Sequence, residues 1–206
     1  MLWRHGRTAW NDERRFQGQI DIPLDETGER QARRGARLLA GIPPSVLVSS
    51  DLARATATAA QLGDLTGLAV TADPALRETF AGQWQGMLAA EIEQVDGARF
   101  RAWQSGAEVR PGGGETRTEV AQRALTSVLV HLAGVPAGGV LVVCTHGGTA
   151  RALIGRLLGL PVDNWHALGG LANCSWSVLE EHTWLWRLAE HNAGRLPEPV
   201  AGTDDS

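Results

Sequence analysis

The chain has 206 residues, 43% of them hydrophobic, and a formal net charge of -4, which is enough apolar chain for a packed core and argues against disorder. It shows no basic tract and no apolar run long enough to span a bilayer, so neither nucleic acid nor membrane is an expected partner. All 19 basic side chains are arginines, which excludes Schiff-base chemistry and a P-loop lysine.

Met1 to Arg4 reads as a strand stub with almost no chain ahead of it, and the expectation is that the native start lies upstream. No apolar run follows Met1-Leu2-Trp3-Arg4-His5, so no signal peptide is expected. Thr27 is the predicted cap of a helix reaching residue 39, with Ala32, Ala36 and Leu39 on one face. Val46-Leu47-Val48 is a short buried strand, after which Asp51 is the predicted cap of an alanine-rich helix through Leu65. Residues 68–71 form another strand, 87–94 and 98–104 two short helices over one end of the sheet, and 111–114 a loop. Thr116 and Glu119 make a capping box for a helix to residue 133, with Val120, Ala124, Val128 and Leu132 in phase. Val140-Leu141-Val142-Val143-Cys144 is apolar without alternation, as in a parallel strand buried on both faces. Gly147-Gly148 leads into a helix through Leu158, and residues 174–179 and 184–188 form a closing antiparallel pair. The alternation predicts an α/β fold, with one domain over residues 1–192 and a disordered tail of Pro, Gly and acidic residues at 193–206.

Three strand exits carry the chemistry: Arg4-His5-Gly6-Arg7-Thr8, Ser49-Ser50-Asp51-Leu52-Ala53-Arg54 and Thr145-His146-Gly147-Gly148. Ligands of open α/β sheets bind at the carboxyl ends of strands, where helix N-termini offer free amides and a positive dipole end. Two histidines and at least two arginines gathered there suit a phosphomonoester, a dianion that needs positive charge spread over its oxygens. A histidine attacks phosphorus only with one ring nitrogen unprotonated and the other held, usually by a backbone carbonyl; Gly6 lets the backbone fold close enough for this. The leaving alkoxide needs a proton, and Glu78 in Leu76-Arg77-Glu78-Thr79 is the candidate acid.

Arg4-His5-Gly6-Arg7-Thr8, followed by Asn11 and Gln17-Gly18, resembles the signature of the histidine phosphatase (phosphoglycerate mutase-like) superfamily. Asp21-Ile22-Pro23-Leu24, Thr27-Gly28-Glu29-Arg30-Gln31-Ala32, the Arg54 block, Leu76-Arg77-Glu78 with Gly82-Gln83-Trp84-Gln85-Gly86, and Thr145-His146-Gly147-Gly148 follow in the family's order. The resemblance implies a three-layer α/β/α sandwich with a mostly parallel central sheet. It implies that His5 is the phosphorylated nucleophile, that Arg4, Arg54 and His146 form the phosphate pocket, and that Glu78 is the proton donor and later the base. Thr8, Asn11 and the backbone of Gln17, Gly18 and Gly147 resemble secondary phosphate ligands. No metal or other cofactor is expected, and a homodimer is expected by the same resemblance. Thr79-Phe80-Ala81-Gly82 after the acid resembles the phosphatase branch rather than the cofactor-dependent mutases. Residues 98–103, 111–116 and 164–176 resemble the branch acting on glucosyl-3-phosphoglycerate, which implies a small phosphorylated metabolite of that kind as substrate.

Rival readings are weaker. Cys144 and Arg151 have six residues between them, one too many for a cysteine phosphatase, and the two cysteines read instead as buried thiols of a cytoplasmic protein. His5, His146 and Cys144 fit no closed zinc pattern, and neighbouring arginines repel a cation. The glycine runs lack GxGxxG spacing. A non-catalytic phosphate-binding module conflicts with five competent side chains at the core positions. Arg7 is either an extra cation at the pocket mouth or solvated. The eight tryptophans read mainly as core or interface packing, with a pocket wall as the alternative for Trp10 and a dimer surface as the alternative for Trp165 and Trp176.

Overall fold

The computed structural model describes residues 1–183 and 185–194. Its strands are β1 (Leu2–Arg4), β2 (Val46–Ser49), β3 (Val70–Ala72), β4 (Leu141–Thr145), β5 (Trp176–His182) and β6 (Leu185–Ala193). Its helices are α1 (Ala9–Asp12), α2 (Glu26–Leu39), α3 (Ala53–Thr66), α4 (Ala89–Gln104), α5 (Arg117–Leu132) and α6 (Gly147–Leu157). The strands form one sheet in the order β3-β2-β4-β1-β5-β6, with β1 to β4 parallel and β5 antiparallel to both its neighbours.

Alternate strand side chains point to opposite faces, and both faces are covered. Trp3, Leu47, Val142 and Cys144 pack with Ala32, Ala36 and Leu39 of α2 and with Ala55, Ala59 and Leu62 of α3. Leu2, Val48, Leu141 and Val143 pack with Ala124 and Val128 of α5 and with Leu153 and Ile154 of α6. This is the expected three-layer sandwich, and it explains why β4 reads as an unbroken apolar run. In a third cluster, Trp84 and Phe16 pack edge-to-face against Phe100 and Trp103 of α4, which stack on each other. No helix among the described residues is long and apolar enough to cross a membrane.

Several local expectations are corrected. Asp25, not Thr27, caps α2, its Oδ1 accepting from the Gly28 amide at 2.7 Å. Asp51 caps nothing: α3 starts after Leu52 with no side-chain cap, and the Asp51 carboxylate holds the Arg77 guanidinium through both oxygens at 2.7 and 2.6 Å. The two short helices expected at 87–94 and 98–104 are present as the two halves of α4, which meet at a non-helical Asp96 (φ -146°, ψ 38°) whose Oδ2 accepts from Trp84 Nε1. The capping box of Thr116 and Glu119 forms as expected. β6 runs to Ala193, one residue past the expected domain boundary, and the rest of the expected tail, 195–206, lies outside the described residues apart from Gly194 in a turn. Trp165 and Trp176, read as core or interface packing, are 3% and 8% exposed and belong to the core.

Candidate active site

Strand register brings the two histidines together. Arg4 of β1 pairs with Thr145 of β4, so His5 and His146 stand one residue beyond on adjacent strands, with ring centroids 5.0 Å apart. Gly6 follows immediately, and a Cβ there would collide with the backbone of Gly28, whose own Cβ position is blocked by the backbone of Arg7. The first turn of α2 is thus pressed onto the chain after His5. Arg7 completes the clamp: its Nε meets Asp25 Oδ2 at 2.8 Å, its Nη1 meets Asp12 Oδ1 at 2.7 Å, and its backbone amide donates to Gln31. Arg7 does not line the cavity described below, so it acts on the loop's shape.

His5 is 2% exposed. Its Nδ1 lies 2.6 Å from the Gly6 carbonyl, an acceptor only, so Nδ1 carries the proton and Nε2 is left with its lone pair. Burial, then the charges of Arg4 and Arg54, hold the imidazole well below its usual pKa. A neutral ring with a bare Nε2 is the nucleophilic form.

His146 has the opposite wiring. Arg54 Nε donates to its Nδ1 at 3.2 Å, which leaves Nε2–H to donate to Ser50 Oγ at 2.9 Å. Burial, then Arg54, push its pKa well down. His146 is fully buried, packs against the His5 ring and accepts from Arg54. Arg54 is itself fully buried, with Nη1 and Nη2 on the carbonyls of Ile20 and Gly18 at 2.9 and 2.8 Å. Burial pushes its pKa down to about 10, so it stays a cation at neutral pH. Arg4 donates from Nη1 to the Leu171 carbonyl at 2.5 Å, and its buried Nε has no partner among the described residues.

Two carboxamides complete the floor. Asn11 Oδ1 accepts from the Thr8 amide at 3.1 Å and Asn173 Nδ2 at 3.1 Å, and Gln17 Oε1 accepts from the Thr8 hydroxyl at 3.0 Å. With their oxygens occupied, both present NH2 groups to the cavity they line. Thr8 is fully buried and orients these two groups. Gly18 (φ +53°) bends the chain so that its carbonyl reaches Arg54, and Gly147 opens α6 at the wall.

Glu78 reaches the wall from the opposite side. Its Oε1 accepts from the amides of Thr79 (2.8 Å) and Thr149 (3.0 Å), and Oε2 from Gly148 (3.0 Å). The carboxylate therefore sits on the N-terminus of α6, where the dipole favours it. Arg123 anchors the segment, donating to the carbonyls of Ala75, Arg77 and Glu78 and to the Glu115 carboxylate. Cys144 is buried on β4 with its Sγ toward the Ala55 carbonyl, and burial pushes its pKa well up, so it is no thiolate.

Arg4, His5, Asn11, Gln17, Gly18, Arg54, Glu78 and Gly147 line one cavity of about 390 Å³, the size of a small metabolite. Trp10 lines it too. The sequence reading missed Trp103, Arg117 and Arg151 on its wall. Arg151 was findable, since it lies four residues after Gly147 and shares its face of α6. Arg117 and Trp103 are brought in by tertiary contacts that no local pattern announces.

A neutral histidine, two arginines and a carboxylate around one cavity are the parts of a phosphoryl-transfer site, and the chain belongs to the histidine phosphatase superfamily (branch 1), which it matches over residues 1–194. It is 46% identical over 194 residues to a glucosyl-3-phosphoglycerate phosphatase of Mycolicibacterium vanbaalenii, spanning 89% of this chain and 84% of that one. A solved mycobacterial glucosyl-3-phosphoglycerate phosphatase in complex with VO3 superposes with a TM-score of 0.88 at 43% identity, over 93% of this chain and 97% of that one. A probable phosphoglycerate mutase of Yersinia pestis (strain Pestoides F) is 35% identical over 187 residues, 89% of this chain and 86% of that one.

Proposed function

We propose that the protein hydrolyses glucosyl-3-phosphoglycerate through a phosphohistidine on His5. The reading is carried by one observation, the His5 Nδ1 contact with the Gly6 carbonyl that leaves Nε2 free. In the first step Nε2 bonds to phosphorus and the ester P–O bond breaks, the leaving oxygen taking a proton from Glu78. Arg4 and Arg54, with the Asn11 and Gln17 amides, hold the equatorial oxygens as charge moves onto them. In the second step Glu78 takes a proton from water, the oxygen attacks phosphorus, and the P–N bond breaks. Inorganic phosphate leaves and the Nε2 lone pair returns. Each arginine is already held by backbone carbonyls or a histidine, so the pocket needs little reorganisation during transfer.

The substrate follows from the relatives, 46% and 43% identical, that carry this activity in their names. A cytoplasmic setting goes with it, supported by two buried cysteines that are unpaired. Phosphate release from glucosyl-3-phosphoglycerate, α-ribazole 5'-phosphate and 2-phosphoglycerate, each with and without EDTA, tests the reading. We expect kcat/KM highest for the first and indifferent to EDTA. Isomerisation of phosphoglycerate without phosphate release would instead support the mutase reading.

A further inference from the structure

We propose that Arg151, backed by Arg117, forms a second anion subsite in the same cavity, which binds a carboxylate on the substrate whose phosphate lies on Arg4 and Arg54. The proposal deepens the phosphatase reading and rests on it.

Among the described residues, only two buried side-chain polar atoms lack a hydrogen-bond partner: Arg4 Nε and Arg151 Nε. Both arginines line the cavity. The phosphate accounts for Arg4, while nothing in the transfer steps uses Arg151. A buried N–H donor without a partner is costly to keep, so a missing acceptor is the natural reading.

The charges on the wall agree. Six arginines line the cavity against two glutamates, and both glutamates are engaged, Glu78 by three amides and Glu115 by Arg123. Arg15 is paired with Glu13. Arg117 and Arg151 have no carboxylate partner among the described residues. A phosphate dianion balances Arg4 and Arg54; of the remaining three, Arg14 is exposed to solvent, and Arg117 and Arg151 are the partly buried cations left over.

Their placement gives the subsite direction. Arg117 begins α5, where the helix dipole disfavours a cation. It is fixed by the carbonyls of Ala107 and Trp103 at 2.7 and 2.5 Å, with its guanidinium 5.4 Å from the Trp103 ring. Burial lowers the pKa of Arg4 and of Arg117, and repulsion from Arg151 lowers both further. Arg4, Arg151, Arg117 and Trp103 line the same cavity, so Arg151 belongs to the wall that joins the phosphate floor to the aromatic side. Its single fork suits a monoanionic carboxylate, whereas the phosphate floor offers two arginines and two amides.

The test compares 3-phosphoglycerate with glycerol 3-phosphate, which carries a hydroxymethyl group where the former has its carboxylate. Wild type, Arg151→Gln and Arg151→Lys are assayed on both. We expect the ratio of kcat/KM for the two substrates to fall about 10- to 100-fold in Arg151→Gln, mainly through KM, and to recover in part in Arg151→Lys. A ratio unchanged in Arg151→Gln would overturn the subsite, whatever the loss on each substrate. If wild type turns over neither compound, calorimetric titration of both onto wild type and Arg151→Gln decides the subsite, while phosphate release from glucosyl-3-phosphoglycerate separately decides the phosphatase reading. A preference for 3-phosphoglycerate that disappears in the variant upholds it, and no preference in wild type, or one that persists in the variant, overturns it.

Discussion

His5 and His146 occupy equivalent places, one residue past paired positions on adjacent parallel strands, yet their partners give them opposite chemistry. At His5 a carbonyl takes the Nδ1 proton and leaves a bare Nε2 at the cavity. At His146 a guanidinium donates to Nδ1 and a serine takes the Nε2 proton, so the ring is saturated and faces inward. Both are buried and held neutral. Residue type and strand position therefore make a pair of candidates, and the hydrogen-bond partner makes one of them a nucleophile.

Neither histidine is assigned proton delivery, and this is where the comparison breaks most visibly if it is wrong. Glu78→Gln should lower kcat on an alkyl phosphomonoester by about 10²- to 10⁴-fold and much less on p-nitrophenyl phosphate, whose leaving group needs little protonation. Equal losses on both would remove Glu78 from the acid role. His146→Asn should act through Arg54, lowering kcat by about 10²-fold while still allowing a phosphoenzyme to form; complete loss of the phosphoenzyme would make His146 a second nucleophile. The smallest effect concerns stability. Since both histidines have folded pKa values below the unfolded 6.5, the unfolded chain binds more protons as pH drops through 6.5. Stability then falls below that pH, by up to about 1.4 kcal/mol per pH unit for each histidine. Melting curves at successive pH values should show this decline, shallower in His146→Asn; a flat profile from pH 7 to 5 would mean that the rings are not held neutral.

Much of this was legible in the sequence because it is local. Strand, glycine and helix start lie within a few residues of each other at both histidines, and β4 announces its burial by its unbroken apolar run. The α2 cap was misplaced by only two residues, whereas other errors came from partners far away in the chain. Asp51 looks like a cap until Arg77, distant in sequence, claims both its oxygens. Arg7, left open as a pocket cation or a solvated one, is neither, because Asp25 and Asp12 hold it. The orientations of Thr8 and His146 were not legible, because they depend on Asn11 and Gln17 for the one and on Arg54 and Ser50 for the other. Trp103 and Arg117 were missed because α4 and α5 meet the cavity only in the folded chain.

The central claim is that His5 alone of the pair becomes phosphorylated. Rapid quenching with a phosphorus-labelled monoester, followed by acid and alkali treatment of the trapped protein, tests it in wild type, His5→Ala, His146→Asn and Cys144→Ser. The account predicts an acid-labile, alkali-stable label that is lost in His5→Ala and retained in the other two variants. A label that survives His5→Ala, or one that disappears with Cys144→Ser, would contradict it.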